Sequence, residues 1–128
     1  MHEKTKTVLL ASLDPALTNL RKRVLEFAGY RVIAVDSIAQ IASRCRNEKI
    51  DLVLIGCSLS PSEKRNFWAE SSNYCSSLVL ELYTDAPPEL MDDPRTYVHH
   101  PLTSVDFVEA VRAVLTLRRK AFTTEVQV

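Results

Sequence analysis

The side chains able to do chemistry in this sequence are few and scattered. Three cysteines stand at positions 45, 57 and 75, with no Cys-X-X-Cys pair and no spacing typical of a metal site. His99 and His100 are adjacent in a β-rich run, where neighbouring side chains point to opposite faces and do not readily share one ion. No metal site and no cofactor are therefore predicted. The odd, scattered cysteines are expected to be reduced thiols of a cytoplasmic protein.

Glycine usage and charge exclude several classes of function. Gly29 and Gly56 are the only glycines among 128 residues, and a Walker loop or a dinucleotide-binding fingerprint needs more. The 16 lysines and arginines balance the 16 aspartates and glutamates, so net charge gives no reason to expect nucleic acid or an anionic membrane as a partner. No apolar run approaches the roughly 20 residues that span a bilayer. The composition, 46% hydrophobic, is typical of one globular domain.

Short apolar runs alternate with helix-length segments along the chain. Asp14-Pro15 predicts the start of a helix, with an aspartate cap and proline at the first helical position. Leu17, Leu20, Val24 and Phe27 then recur at helical spacing, and Gly29 suits the helix end. Buried strands joined by helices predict a doubly wound parallel α/β sheet with helices on both faces. The predicted strands are 7–12, 31–35, 51–55, 78–84 and 96–99, with later helices capped at Asp36 or Ser37, at Ser60 with Glu63, and at Thr103 or Ser104.

Ligands of such a sheet bind in the crevice outside the carboxyl ends of the strands. The residues that end the first, third, fourth and fifth strands are therefore the candidates for a site. They are Ser12, Leu13 and Asp14; Gly56, Cys57 and Ser58; Tyr83 and Thr84; and His99 and His100.

Four segments, in this order, resemble the receiver domain of two-component response regulators. Residues 8–15 are similar to the first strand and acidic loop of that family, and residues 29–32 to the start of its second strand. Residues 51–56 resemble its third strand, and His100-Pro101-Leu102 its lysine–proline step. The resemblance implies a flavodoxin-like sheet of five strands in the order 2-1-3-4-5. It also implies residues 1–6 as an N-terminal extension, 7–119 as the receiver-like domain and 120–128 as a tail or a truncated linker.

Phosphoryl transfer in that family needs an acidic pair that holds Mg²⁺ and an aspartate that accepts the phosphoryl group. By the resemblance, the acidic pair corresponds to Ser12 and Leu13, with only the following Asp14 retained. The acceptor corresponds to Gly56, which has no side chain to phosphorylate. Both halves of the reaction site are therefore degenerate.

Two further residues of the family contact the phosphoryl oxygens, a lysine and a serine or threonine. The lysine corresponds to His100, and Thr84 keeps the hydroxyl unless a shift of one residue places Tyr83 there. The resemblance thus implies a pseudo-receiver, without phosphoryl transfer at the usual position and without enzymatic activity.

The segment between the fourth and fifth strands contains three prolines and has room for about one helical turn, near residues 89–92. The family usually has a full helix there, so the fourth helix is expected to be shortened and part of the sheet uncovered. A glutamate within a central strand is unusual unless its face is open or its charge is paired, and Glu81 is therefore expected to point toward the uncovered surface. The candidate interaction face comprises Glu81, Tyr83, Leu90, Met91, Tyr97 and Val98.

The resemblance implies a bacterial signalling module of a phosphorelay, and the degenerate positions favour action by phosphorylation-independent contact with a protein partner, such as a kinase, a regulator or an output protein. Self-association into a homodimer stays open. One alternative is a receiver phosphorylated at another residue, such as Ser58 or Asp14. A second alternative is a binder of small ligands in the crevice.

Overall fold

Five parallel strands form the centre of the molecule. The computed structural model describes the backbone of residues 5–127 and the side chains of residues 5–117. The strands lie in the order β2-β1-β3-β4-β5, which confirms the predicted topology. Their bounds are β1 Thr7–Ala11, β2 Arg31–Val35, β3 Leu52–Ile55, β4 Leu78–Leu82 and β5 Thr96–His99. Of the expected N-terminal extension, residues 1–4 lie outside the described part of the chain.

Four helices cover the two faces of the sheet, and they begin where the sequence predicts. They are α1 Pro15–Phe27, α2 Ile38–Asn47, α3 Pro61–Tyr74 and α4 Ser104–Gln127. Asp14 and Ser37 cap α1 and α2, and Ser60 forms the predicted capping box with Glu63 at the start of α3. Gly29 follows α1 with a φ of +102°, a conformation that side-chain-bearing residues rarely adopt.

The alternation of side chains along the strands divides the core into two layers. Leu80 and Leu82 of β4 face α1 and α4, whereas Val79 faces α2 and α3. On the α4 side, Phe107 and Val111 fill the layer. Because β4 is central, both of its faces are covered, and any polar side chain on it needs a partner inside the protein.

Helix α4 extends further than the sequence indicated. Residues 120–128 were expected to form a tail or a truncated linker, and the backbone of α4 continues through this segment to Gln127. A helix of 24 residues is about 36 Å long, whereas a strand of five residues spans about 17 Å. The second half of α4 therefore extends beyond the strands that it covers.

The helix expected between β4 and β5 is absent rather than shortened. Residues 83–95 form bends and turns, with hydrogen bonds from Asp93 N–H to the Leu90 carbonyl and from Thr96 N–H to the Asp93 carbonyl. The prolines explain the difference, since each lacks an N–H donor and restricts the residue before it. We call residues 84–95 the β4–β5 loop.

Cys45 and Cys75 form a disulfide, which corrects the expectation of reduced thiols. Their Cα atoms are 5.3 Å apart, and the bond joins α2 to the residue that ends α3. The two helices pack side by side on one face of the sheet, so cysteines 30 positions apart meet in space. Cys57 is the free cysteine of the described residues. Disulfides are rare in cytoplasmic proteins, so the cysteines no longer support that location.

Among the described residues, no helix has an apolar stretch long enough to cross a bilayer.

Candidate functional site

The acidic-loop positions after β1 are used for local structure. Ser12 is buried, and its Oγ lies 3.4 Å from Ser58 Oγ and accepts a hydrogen bond from Asp14 N–H. The Asp14 carboxylate caps α1 by accepting a hydrogen bond from Leu17 N–H at 3.2 Å. Leu13 projects an apolar, exposed side chain where a second carboxylate would be needed. The described residues contain no group of three or more His, Cys, Asp or Glu side chains that could hold a metal ion.

The position expected to correspond to the phosphoryl acceptor, Gly56, is closed by backbone packing. Gly56 donates a hydrogen bond from its N–H to the Ala11 carbonyl at 2.9 Å. A Cβ atom built on Gly56 would lie only 2.9 Å from that same oxygen and 3.4 Å from Ser12 Cβ. The close approach of β1 and β3 at this point therefore leaves no unstrained space for a side chain.

The positions expected to contact a phosphoryl group do not form a cluster of cations and hydroxyls. His100 stacks on Tyr83, with ring centroids 5.4 Å apart and planes 25° from parallel. Tyr83 is held in place by its backbone N–H, which donates to the His99 carbonyl at 3.1 Å. Thr84 is exposed at the start of the β4–β5 loop. An aromatic pair thus occupies the position that was expected, by the resemblance, to correspond to a lysine.

The buried polar centre of this region is an ion pair between Lys64 and Glu81. Lys64 Nζ lies 2.8 Å from Glu81 Oε2, and the two side chains are 6% and 0% exposed. Lys64 also donates to the Leu82 carbonyl at 3.0 Å. The sequence indicated that Glu81 needs a charged partner if the sheet face on which it lies is covered. It did not indicate that Lys64 of α3 is that partner.

Glu81 also holds the β4–β5 loop on the sheet. Its two carboxylate oxygens accept hydrogen bonds from the backbone N–H groups of Glu89 and Leu90, both at 2.7 Å. The Leu90 side chain then fills the core layer beside α3. A carboxylate that accepts two N–H bonds and contacts an ammonium group is fully satisfied, which explains how a charge is tolerated in a central strand.

Helix α3 makes further contacts that position the same loop. Trp68 Nε1 donates to Asp93 Oδ2 at 3.3 Å, and Arg65 pairs with Glu89 at 2.6 Å near the surface. Arg95 donates to Ser72 Oγ at 3.1 Å. The loop is thus anchored along one side of α3 and forms a defined surface in place of the missing helix.

This arrangement corrects two members of the candidate interaction face. Glu81 and Leu90 are buried, so neither contacts a partner directly, and the loop covers the sheet surface that was expected to be open. Met91 is 65% exposed and Tyr97 is at the surface of β5. Tyr83 and Val98 are half-buried. The exposed part of this face is therefore the outer side of the loop together with the edge strand β5.

His99 is engaged with the first turn of α4. Its Nε2 lies 2.8 Å from Asp106 Oδ2, which also accepts a hydrogen bond from Leu102 N–H. The Leu102 N–H, followed by the His99 ring, holds the pKa of Asp106 below its usual range, although partial desolvation opposes this shift. His99 and His100 thus have different partners, as expected for neighbours on a strand.

The cavities at the carboxyl edge are small. One, of about 200 Å³, lies between Cys57, Lys64 and Thr84, and another, of about 240 Å³, lies beside Ser12 and Asp36. Pockets for drug-sized ligands usually measure about 300–1,000 Å³.

Comparison with known proteins finds similarity in structure. No family model matches the sequence, and no curated protein matches it. A response regulator receiver protein from Sinorhizobium medicae is 22% identical, with a TM-score of 0.69 over 90% of this chain and 98% of that one. A CheY-like receiver domain from Methanospirillum hungatei is 21% identical, with a TM-score of 0.74 over 92% and 99%. An adenylate cyclase structure from Rhodopirellula baltica is 16% identical, with a TM-score of 0.78 over 97% of both chains.

These similarities span most of each chain and agree with the strand order 2-1-3-4-5 found here. The chain therefore has the fold of the CheY-like receiver domains of response regulators.

Proposed function

We propose that the protein is a signalling module of the receiver type that acts by binding a protein partner and is not switched by phosphorylation at Gly56. It is not an enzyme in this proposal. The receiver fold supports the signalling role, since response regulator receivers are among the similar structures. A bacterial phosphorelay is the context that the family resemblance implies.

The packing at Gly56 is the observation that carries the proposal. A phosphoryl acceptor needs a carboxylate that reaches a metal ion and an approaching donor. At Gly56 even a Cβ atom would contact the Ala11 carbonyl at 2.9 Å. The neighbouring Asp14 carboxylate is engaged in capping α1 and has no acidic companion in the loop after β1. Both the acceptor and the metal site are thus replaced by structural contacts.

The partner surface in this proposal is the outer side of the β4–β5 loop with β5. Met91 and Tyr97 are its exposed apolar side chains, and Tyr83 and Val98 lie at its half-buried border. Large side chains on a rigid support make good contacts because little conformational entropy is lost when they bind. Glu81 and Lys64 contribute from beneath by holding the loop in its shape.

Intact-mass measurement after incubation with acetyl phosphate and Mg²⁺ tests the proposal. We expect no phosphoryl adduct, while an active receiver domain in a parallel reaction gains one. Beryllofluoride titration followed by Trp68 fluorescence is expected to show no saturable change, because Trp68 contacts the loop through Asp93 and would report its movement. A stable adduct would overturn the proposal, and Ser58→Ala and Asp14→Asn variants would then locate the alternative acceptor.

Pull-down with the untreated protein tests the partner surface. Met91→Asp is expected to abolish capture of a specific partner, whereas Ala113→Asp, an exposed substitution on α4, is expected to retain it. A partner that is captured equally by both variants would contradict this surface. A cytoplasmic location is also part of this proposal. The redox state of Cys45 and Cys75 in cells tests it, because a reducing compartment would keep them as thiols and a bonded pair would contradict that location.

A further inference from the structure

Helix α1 exposes an apolar stripe that sequence periodicity alone would place in a core. Leu17, Leu20, Val24 and Phe27 recur at helical spacing, yet Leu25 is the one fully buried residue of α1. Leu20 is 54% exposed and Phe27 is 97% exposed. Leu25 covers the sheet from a neighbouring side of the helix, while the stripe lines a groove at the surface, where Val24 also packs against the core.

Helix α4 forms the opposite wall of that groove. The groove measures about 620 Å³ and is lined by the α1 stripe together with Val105 and Val108. A second cavity, of about 290 Å³, continues it past Leu17 to Leu102. We call this surface the α1–α4 face, defined by Leu17, Leu20, Val24, Phe27, Leu102 and Val105.

Among the described residues, the large apolar side chains with the highest exposed fractions lie on this face. Phe27, Leu102 and Val105 are 97%, 74% and 73% exposed, the highest values for large apolar side chains, and all three belong to it. Single exposed apolar residues need no explanation, but a contiguous patch marks an interaction site. The β4–β5 loop lies across α3 on the opposite side of the sheet, so this surface is separate from the partner surface proposed above.

We propose that a second copy of this chain binds the α1–α4 face, forming a two-fold symmetric dimer. The charges on its rim support this occupant. On α4, Arg112 pairs with Glu109 at 2.6 Å, and Arg23 on α1 adds one further positive charge, so the rim offers no uniform field that a partner of uniform charge could match. A copy related by a two-fold axis presents both signs and can match each with its opposite.

The shape of the face favours the same occupant. Phe27 projects almost fully from the end of α1 beside the groove, so one face carries both a protruding ring and an apolar recess. In an isologous contact, Phe27 of each copy enters the groove of the other. The proposal goes beyond the signalling function and does not depend on it, because dimerisation needs neither a phosphoryl group nor another protein.

The available area predicts a weak dimer. Helix α1, with 13 residues, is about 20 Å long, and two helices side by side are about 20 Å wide. Such a face buries roughly 400 Å² on each copy, and burial of a Phe27 ring adds about 150–250 Å². The dimer therefore buries about 1,200 Å² in total, at the lower limit of stable interfaces. We expect a Kd of about 1–100 μM.

Sedimentation velocity from about 0.5 to 500 μM, chosen to bracket that Kd, tests the dimer. All samples carry Cys57→Ser, which prevents dimers linked through the free thiol while leaving the Cys45–Cys75 bond intact. We expect the reference protein, which carries Cys57→Ser alone, to shift from monomer to dimer as its concentration rises. Adding Phe27→Asp to it is expected to raise the Kd of the dimer at least tenfold. Met91→Asp is the matched control, an exposed apolar residue on the other face that is expected to leave association unchanged. Both substituted side chains are exposed, so circular dichroism should show that both variants fold.

Amide chemical shifts locate the contact. On dilution, the changes are expected in residues 17–28 and 102–112 and not in the β4–β5 loop. A reference protein that stays monomeric at the highest concentration would overturn the proposal. So would a Phe27→Asp variant that still associates normally, an equal loss in Met91→Asp, or shift changes confined to the loop.

Discussion

Replacing Glu81 with leucine is expected to remove a large part of the stability of the domain. The change leaves the Lys64 ammonium group buried with one remaining acceptor, the Leu82 carbonyl. Removing one partner of a buried ion pair typically costs about 3–5 kcal/mol. The N–H groups of Glu89 and Leu90 also lose their acceptor, at about 1–3 kcal/mol each if they stay buried. Because the loop can lift and hydrate these groups, we expect a net loss of about 4–6 kcal/mol.

Urea unfolding followed by circular dichroism and by Trp68 fluorescence measures this loss. Lys64→Met alone is expected to cost about 3 kcal/mol, since the carboxylate keeps its two N–H donors. The double variant is expected to be more stable than Glu81→Leu alone, because no charge remains buried. Arg65→Met is the surface control, expected to cost less than about 1 kcal/mol, as its pair with Glu89 is largely exposed. A loss below about 1 kcal/mol for Glu81→Leu, or simple additivity in the double variant, would refute this reasoning.

Three further predictions concern the disulfide, the closed acceptor position and the start of α4. Reduction, or Cys45→Ser with Cys75→Ser, is expected to cost about 3–4 kcal/mol by the loop-closure estimate for about 30 residues, and an unchanged thermal midpoint would contradict it. Gly56→Ala is expected to cost about 1–3 kcal/mol because its Cβ meets the Ala11 carbonyl, and urea unfolding at wild-type stability would show that the backbone there adjusts freely. The pKa of Asp106 is depressed in the folded protein, so its contribution is present above the unfolded value, near 3.8, and is lost as the pH falls through the lower folded value. Urea midpoints between about pH 5 and 2.5 should therefore fall less steeply for Asp106→Asn than for the wild type, and equal slopes would contradict the assignment.

Much of the fold could be predicted because its signals are local. Strands β2 and β5 have the predicted bounds, and the Ser60–Glu63 capping box begins α3 as expected. These features depend on residues within one turn of helix or one strand, where periodicity and capping act directly.

The candidate site was predicted only in part. The positions after β1 and β3 do lie at one edge of the sheet, with Ser12 and Ser58 in contact. The prediction that Glu81 points toward an uncovered surface was wrong, because the partner that neutralises it, Lys64, is 17 positions away on a different element. A charged residue in a buried strand shows that a partner is needed, but only packing shows which residue supplies it.

By itself, the sequence determined the order of the strands and helices and their caps, since these depend on residue types and local spacing. Only the tertiary structure decided how the elements meet. It brought Cys45 to Cys75, placed Lys64 under the β4–β5 loop and left Leu20 and Phe27 of the α1 stripe exposed. Periodicity indicates that a helix has an apolar face, but the rotation of the helix on the sheet is set by contacts between distant residues.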